Sequence, residues 1–157
     1  MSGGPWVAGH FFNPMLSTSC KYALRAAVYL MAQSVKMRRA GLKEVADEIE
    51  ANEHTTGKIL QLLVREGIIS SAKGPTGGFF IAQDAAPIYL IDIVSVVDGV
   101  GLFFECGLGL KECSETHPCP IHYSYKEARE MLYAEFSTIT IQQLAQNIEK
   151  GMAFLRR

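Results

Sequence analysis

The chain has 157 residues, 48% of them hydrophobic and 20% charged, with a formal net charge of −1. That is an ordinary globular composition, in a chain long enough to bury roughly two-thirds of its unfolded surface without disulfides. No run approaches the ~20 apolar residues of a membrane span, and no basic segment followed by an apolar one marks a secretory signal, which predicts a cytoplasmic protein with no membrane partner.

Residues 1–14, "MSGGPWVAGHFFNP", are rich in Gly and Pro and read as a flexible extension, with Met15 as an alternative start. The next stretch, "CKYALRAAVYLMAQ", is apolar almost all round, the pattern of a buried helix. Ser17, Thr18 or Ser19 can cap its start. "GLKEVADEIEAN" places Leu42, Val45, Ala46 and Ile49 on one face of an amphipathic helix. After the turn "EANEH", a second helix carries Thr56, Ile59, Leu60 and Leu63 along one stripe, and Gly67 ends it. Two short helices behind a buried one fit a helix-turn-helix, or equally any three-helix core.

The next segment shifts the balance. "IISSA" and "FFIA" favour β structure and flank the turn-forming "KGPTGG", which predicts a hairpin. Helix-turn-helix followed by a Gly-rich hairpin is the layout of a winged helix, so the fold class predicted is mainly α with a small β-hairpin wing. In such a fold the start of the second helix faces base edges. Here that start offers His54, Thr55, Thr56 and Lys58, with Gln61 one turn on. Thr and Gln can hydrogen-bond base edges, and Lys can address guanine or phosphate. In the loop, Lys73 can reach a phosphate or a narrow minor groove, while Gly74, Pro75, Thr76, Gly77 and Gly78 would let the backbone approach DNA closely. Gly57 costs about 1 kcal/mol relative to Ala inside a helix, with no reason visible in the sequence. Charge follows the same division: residues 16–83 hold nine Lys/Arg against six Asp/Glu, and residues 84–157 six against ten. A more basic N-terminal half suits a phosphate-facing surface.

"PIYLIDIVSVVDGVG" predicts a further amphipathic helix ending near Gly99. Towards the C-terminus, Tyr125, Ala128, Leu132 and Phe136 form one apolar stripe. Ile141, Leu144, Ala145 and Ile148 form another, on a helix beginning near Thr140. These helices are material for a dimer interface or for packing within the subunit. Between them and Gly99 lies "FFECGLGLKECSETHPCPIH", with the spacing Cys106-x6-Cys113-x5-Cys119-x2-His122. Clustered cysteines in a cytoplasmic protein point to metal or redox chemistry. Three thiolates and an imidazole could complete a tetrahedral zinc site or hold an iron–sulfur cluster. Gaps longer than CxxC knuckles favour the cluster. Cys20, in the first helix, reads as a small core residue, and His117, before Pro118, as a loop residue. No phosphate loop, nucleophile elbow or metalloprotease helix is present, so no enzymatic activity is expected.

"CKYALRAAVYL", the helix-turn-helix, "SSAKGPTGGFFIAQDAAPIYLIDIVSVVDG" and the Cys/His loop together resemble the Rrf2 family of winged-helix bacterial regulators, over nearly all of residues 15–148. The resemblance implies a homodimer that binds palindromic double-stranded DNA, with a cluster in each subunit sensing redox state, iron–sulfur status or nitric oxide. Carried over by motif, Cys106, Cys113 and Cys119 are the three thiolate ligands. His122 matches the fourth ligand of the IscR-like branch, where the cluster is of the 2Fe–2S type. Lys73 stands where that branch has Arg, before the shared Gly74-Pro75. Three departures are evident: a first Cys gap one residue longer, Thr55 where Tyr is common, and Gly57 where that branch has Glu. The organisation expected is an extension over 1–14, a winged-helix domain over 15–99, a cluster-binding loop over 100–122, and dimerisation helices with a tail over 123–157. A winged-helix regulator with structural zinc or a metal-free thiol switch, or a small electron carrier, would use the same cysteines differently.

Overall fold

The computed structural model describes residues 15–156; the extension expected over 1–14 lies outside the described residues. Helix α1 (Thr18–Val35) is the central element. Its N-terminus is capped by Ser17, whose hydroxyl accepts from the Cys20 N–H at 3.0 Å. Ala23, Ala26, Ala27 and Leu30 on α1 are wholly buried. Small side chains there let neighbouring helices approach closely, and close approach is what gives a core its packing density.

Helices α2 (Leu42–Glu48) and α3 (Glu53–Arg65) form the expected helix-turn-helix. The turn is made by Glu50, which takes a left-handed φ of 55°, and by Asn52, whose side chain accepts from the Thr55 N–H at 2.8 Å. Val45, Ile49, Ile59, Leu60 and Leu63 close over α1, so the two predicted stripes meet in one core. Gly67 has the left-handed φ of 74° that ends α3. Gly57 faces Leu42 of α2, where a Cβ would stand in ordinary contact at 3.7 Å. Nothing in the packing therefore requires glycine. Gly57→Ala should raise unfolding stability by about 0.5–1 kcal/mol, measurable by denaturant titration.

The wing is an antiparallel hairpin of β1 (Ser70–Ala72) and β2 (Gly78–Phe80), with Ser70 opposite Phe80 and Ala72 opposite Gly78. Ala40 lies along the outer edge of β2, exchanging two backbone hydrogen bonds with Phe79 at 3.0 and 2.8 Å. This contact explains Gly78. With φ 134° and a would-be Cβ 2.8 Å from the Ala40 oxygen, only glycine lets the edge pair form. Gly77 is demanded by the hairpin itself, since its Cβ would fall 2.3 Å from the Ala72 oxygen.

Helix α4 (Leu90–Val97) leaves the wing, and Gly99 (φ 79°) follows its end. A short helix not anticipated from the sequence, α5 (Gly101–Phe104), comes next. Its Phe103 is buried with Cys20 and Val94 in a second, smaller core that Leu132 and Phe136 complete. Asp98 ties this layer to the start of α1, its carboxylate accepting from the Ser17 N–H at 2.8 Å and the Ser17 hydroxyl at 2.5 Å.

The last two helices, α6 (His122–Thr138) and α7 (Ile141–Glu149), have different fates. The sequence suggests one dimerisation unit over 123–157 for both. Instead α7 belongs to the winged-helix core: Ile141 and Ala145 are buried with the residues of α1. The Ile141 N–H also donates to the Ile88 carbonyl at 2.8 Å. Helix α6 buries only its first residue, His122, and leaves Tyr123, Met131 and Tyr133 in solvent. Ala128, part of the apolar stripe in sequence, is exposed as well. No helix among the described residues is long and apolar enough to cross a membrane.

Candidate functional site

Two regions carry the residues that the sequence marks as candidates. On α3, His54, Lys58 and Gln61 are exposed and Thr55 is half-buried. They lie on the side of the helix opposite the core stripe. Thr56 does not join them. It is fully buried, its hydroxyl donating to the Asn52 carbonyl at 2.9 Å. Its place in the stripe with Ile59, Leu60 and Leu63 excludes it from a surface contact, because residues three and four apart share a face. At the wing, Lys73, Gly74, Pro75 and Thr76 are exposed, and Gly77 and Gly78 are half-buried. The last two glycines are required by the closure of the hairpin and by its edge pairing with Ala40. Gly74, at φ 98° with open space around it, makes the turn at the tip.

The second region is the segment between α5 and α6. Three turns fold it back on itself. The Gly109 N–H donates to the Cys106 carbonyl at 2.9 Å, with Gly109 at φ 70°. Ser114 and His117 exchange backbone hydrogen bonds at 3.2 Å, returning the chain from Cys113 toward Cys119. The His122 N–H donates to the Cys119 carbonyl at 3.0 Å, the turn that a two-residue spacing allows. Gly107 lies flat on the Tyr125 ring, with room for no side chain.

These turns bring the three sulfurs together, all within 4.8 Å of one another. Cys106 Sγ is 3.6 Å from Cys119 Sγ, and Cys113 Sγ is 3.1 Å from His122 Nδ1. His117 does not join them: it is exposed, its Nδ1 3.2 Å from the Thr116 hydroxyl. His122 is buried, and its Nε2 has no hydrogen-bond partner. Three converging thiols, with an imidazole against one of them, form a donor set suited to a soft or borderline metal. Metal–sulfur bonds of about 2.3 Å place sulfurs on one tetrahedral metal somewhat under 4 Å apart, and the Cys106–Cys119 distance fits that. An iron–sulfur cluster uses the same donors.

Electrostatics divides the thiols. Backbone N–H groups of Leu110 and Leu108, with the neighbouring thiols, bring Cys106 down to about 7. Burial pushes Cys119 up, and charge on Cys106 adds to the effect. In metal-free protein, iodoacetamide should therefore modify Cys106 well before Cys119. The Cys106 rate should rise with pH to a half-maximum near 7, as mapped by mass spectrometry across pH 5 to 9.

Arg129 has no candidate role in the sequence. From α6 it donates Nη1 to the carbonyls of Phe104 and Glu105, at 3.0 and 2.6 Å, holding the backbone immediately before Cys106. An arginine in an amphipathic helix carries no local sign of such a task. Lys126 and Glu115 pair across the same gap, tying the tip of the Cys loop to α6.

Comparison with known proteins gives a consistent result. The profile of the family described as "Rrf2: Iron-dependent Transcriptional regulator" matches residues 16–147. A protein of Aquifex aeolicus described as an HTH-type transcriptional regulator is 29% identical over 142 residues, spanning 89% of this chain and 96% of its own. The HTH-type transcriptional regulator IscR of Xenorhabdus nematophila is 26% identical over 137 residues, spanning 85% and 80%. Among solved structures, CymR, the global cysteine regulator of B. subtilis, superposes with a TM-score of 0.68 at 22% identity, over 83% of this chain and 95% of its own. The IscR of T. potens gives 0.68 at 19% identity, over 92% and 95%.

Proposed function

The chain belongs to the Rrf2 family of transcriptional regulators, and from that premise we propose that it binds operator DNA as a homodimer under the control of an iron–sulfur cluster. The observation that carries the cluster is the convergence of Cys106, Cys113 and Cys119, with His122 Nδ1 against Cys113. The family is not an enzymatic one, and the residues lend themselves to binding rather than turnover.

In this reading α3 lies in the major groove, with Thr55, Lys58 and Gln61 toward base edges and His54 at the groove margin. The wing sets Lys73 against the sugar-phosphate backbone. Cys106, Cys113 and Cys119, with His122 as fourth donor, would hold the cluster, exposed to oxidants, nitric oxide or iron shortage. A bound cluster would supply metal–ligand bonds that such signals can break. The chain converts that event into a change of shape. Arg129 fixes residues 104–105 to α6, Phe103 anchors α5 in the second core, and Asp98 joins that core to α1. Release of the four side chains would therefore alter how α6 sits on the DNA-binding unit. The exposed face of α6 is the surface that a second subunit covers, and the spacing of two α3 helices depends on it.

Anaerobic purification tests this directly. A coloured protein with stoichiometric iron, whose affinity for a selected duplex changes when the iron is removed, is the expected result. Within that experiment Gln61→Ala should weaken binding to the selected duplex and leave random DNA unaffected, because a good base contact is worth about 1–3 kcal/mol of discrimination. One observation favours a second reading. The sulfurs are as close as they would be around a single tetrahedral metal, so a colourless protein with one zinc per chain would make the site structural.

A further inference from the structure

The turn after α1 gives two adjacent arginines different tasks. Met37 takes a left-handed φ of 59°, and Arg38 folds back on its own subunit. Its guanidinium donates to Gln33 Oε1 at 2.8 Å and to the Glu44 carboxylate at 3.1 Å, so its charge is already matched. Arg39 has no carboxylate partner among the described residues. It points along the wing instead. The guanidinium carbon lies over the Phe80 ring, 4.8 Å from its centroid, and Nη1 donates to the Thr76 carbonyl at 3.4 Å.

Three features make this a built arrangement. The ring presents its negative face to the cation, which orients the guanidinium plane. The Thr76 carbonyl engages one donor at the wing tip and leaves the others open. The backbone beside Arg39 is fixed, because Ala40 is hydrogen-bonded to Phe79 on the edge of β2. Long side chains lose entropy when they bind, and an arginine already stacked loses less of it.

We propose that Arg39 is a phosphate-binding residue of the DNA interface, gripping the sugar-phosphate backbone beside the wing. The proposal rests on the reading that α3 and the wing face DNA. A planar guanidinium with free N–H donors offers two parallel bonds to phosphate oxygens, a geometry that a lysine cannot supply. Lys73 and Arg39 would then bracket the wing, one at the foot of β1 and the other beside β2. Neither contact reads sequence; together they position α3 in its groove.

The test uses the full-length protein with its native complement of metal, a duplex recovered by selection from random DNA, and a scrambled duplex of equal length. Binding of wild type, Arg39→Gln, Arg39→Lys and Lys73→Ala is measured across a salt series, with thermal unfolding of each. Arg39→Gln should lower the salt slope by about one unit and weaken both duplexes by the same factor. Its unfolding midpoint should stay at the wild-type value. Arg39→Lys should keep the slope and bind less tightly than wild type. An unchanged slope in Arg39→Gln, or a loss confined to the selected duplex, overturns the assignment. If Lys73→Ala lowers the slope and Arg39→Gln does not, Arg39 fails while the DNA-facing reading stands. If wild type shows no salt-dependent binding to either duplex, the DNA-facing reading itself fails.

Discussion

Single replacement of Cys106, Cys113 or Cys119 by Ala should reduce bound iron to background and abolish visible absorbance. Each sulfur lies within 4.8 Å of the other two, so none can be spared by a neighbour taking its place. Removing one of four donors leaves a metal with an open position exposed to solvent and oxidant. The helical fold should persist, because Cys106 and Cys113 are half-exposed and outside both cores. Iron analysis and far-UV circular dichroism on the same samples separate the two effects. Full iron content in all three variants would remove the cysteines from the site. His122→Ala should give an intermediate result, since a water or an exogenous ligand can occupy the position of one imidazole. Retention of a cluster with a changed spectrum is the expected outcome there.

The next largest effect should come from charge placed on the free face of α6. Met131 is 71% exposed on a helix whose only buried residue is His122. A large apolar side chain left in solvent on such a helix suits a protein–protein contact. Met131→Asp should convert a dimer into a folded monomer, because a carboxylate buried in that contact finds no partner. Affinity for a palindromic operator should then fall by roughly two orders of magnitude or more, as each half-site must be bound without the help of the other. Sedimentation at micromolar concentration and operator titration check the two halves of the expectation. A variant that remains dimeric would place the subunit contact elsewhere. Because α7 is part of the core, deleting the C-terminal helices would not be a clean substitute.

Local pattern in the chain was enough to locate most of the elements and their inward faces, α5 excepted. Apolar spacing marked α1, α2, α3 and α4, Gly67 stopped α3, and "KGPTGG" announced the hairpin, all through local conformational preferences acting over a few residues. The sequence also marked Cys106, Cys113, Cys119 and His122 as candidate donors by type and spacing. What covers each face is settled by the folded chain. The stripes on α6 and α7 look alike in sequence, yet α6 stays half-buried, lending Leu132 and Phe136 to the second core, while α7 packs on α1. Periodicity records that a face is apolar and says nothing of the path that brings a partner to it. For the same reason Thr56 suited a DNA contact by side-chain type and was withdrawn from the surface by its helical phase. Gly77 and Gly78 are also required by the backbone of Ala72 and Ala40, which no local pattern shows. Arg129 and Arg39 carried no signal at all, because their partners are backbone carbonyls and a ring at least 24 residues away in the chain. Such contacts exist only once the helices and the wing have closed on one another, and long-range closure is the step that local pattern does not encode.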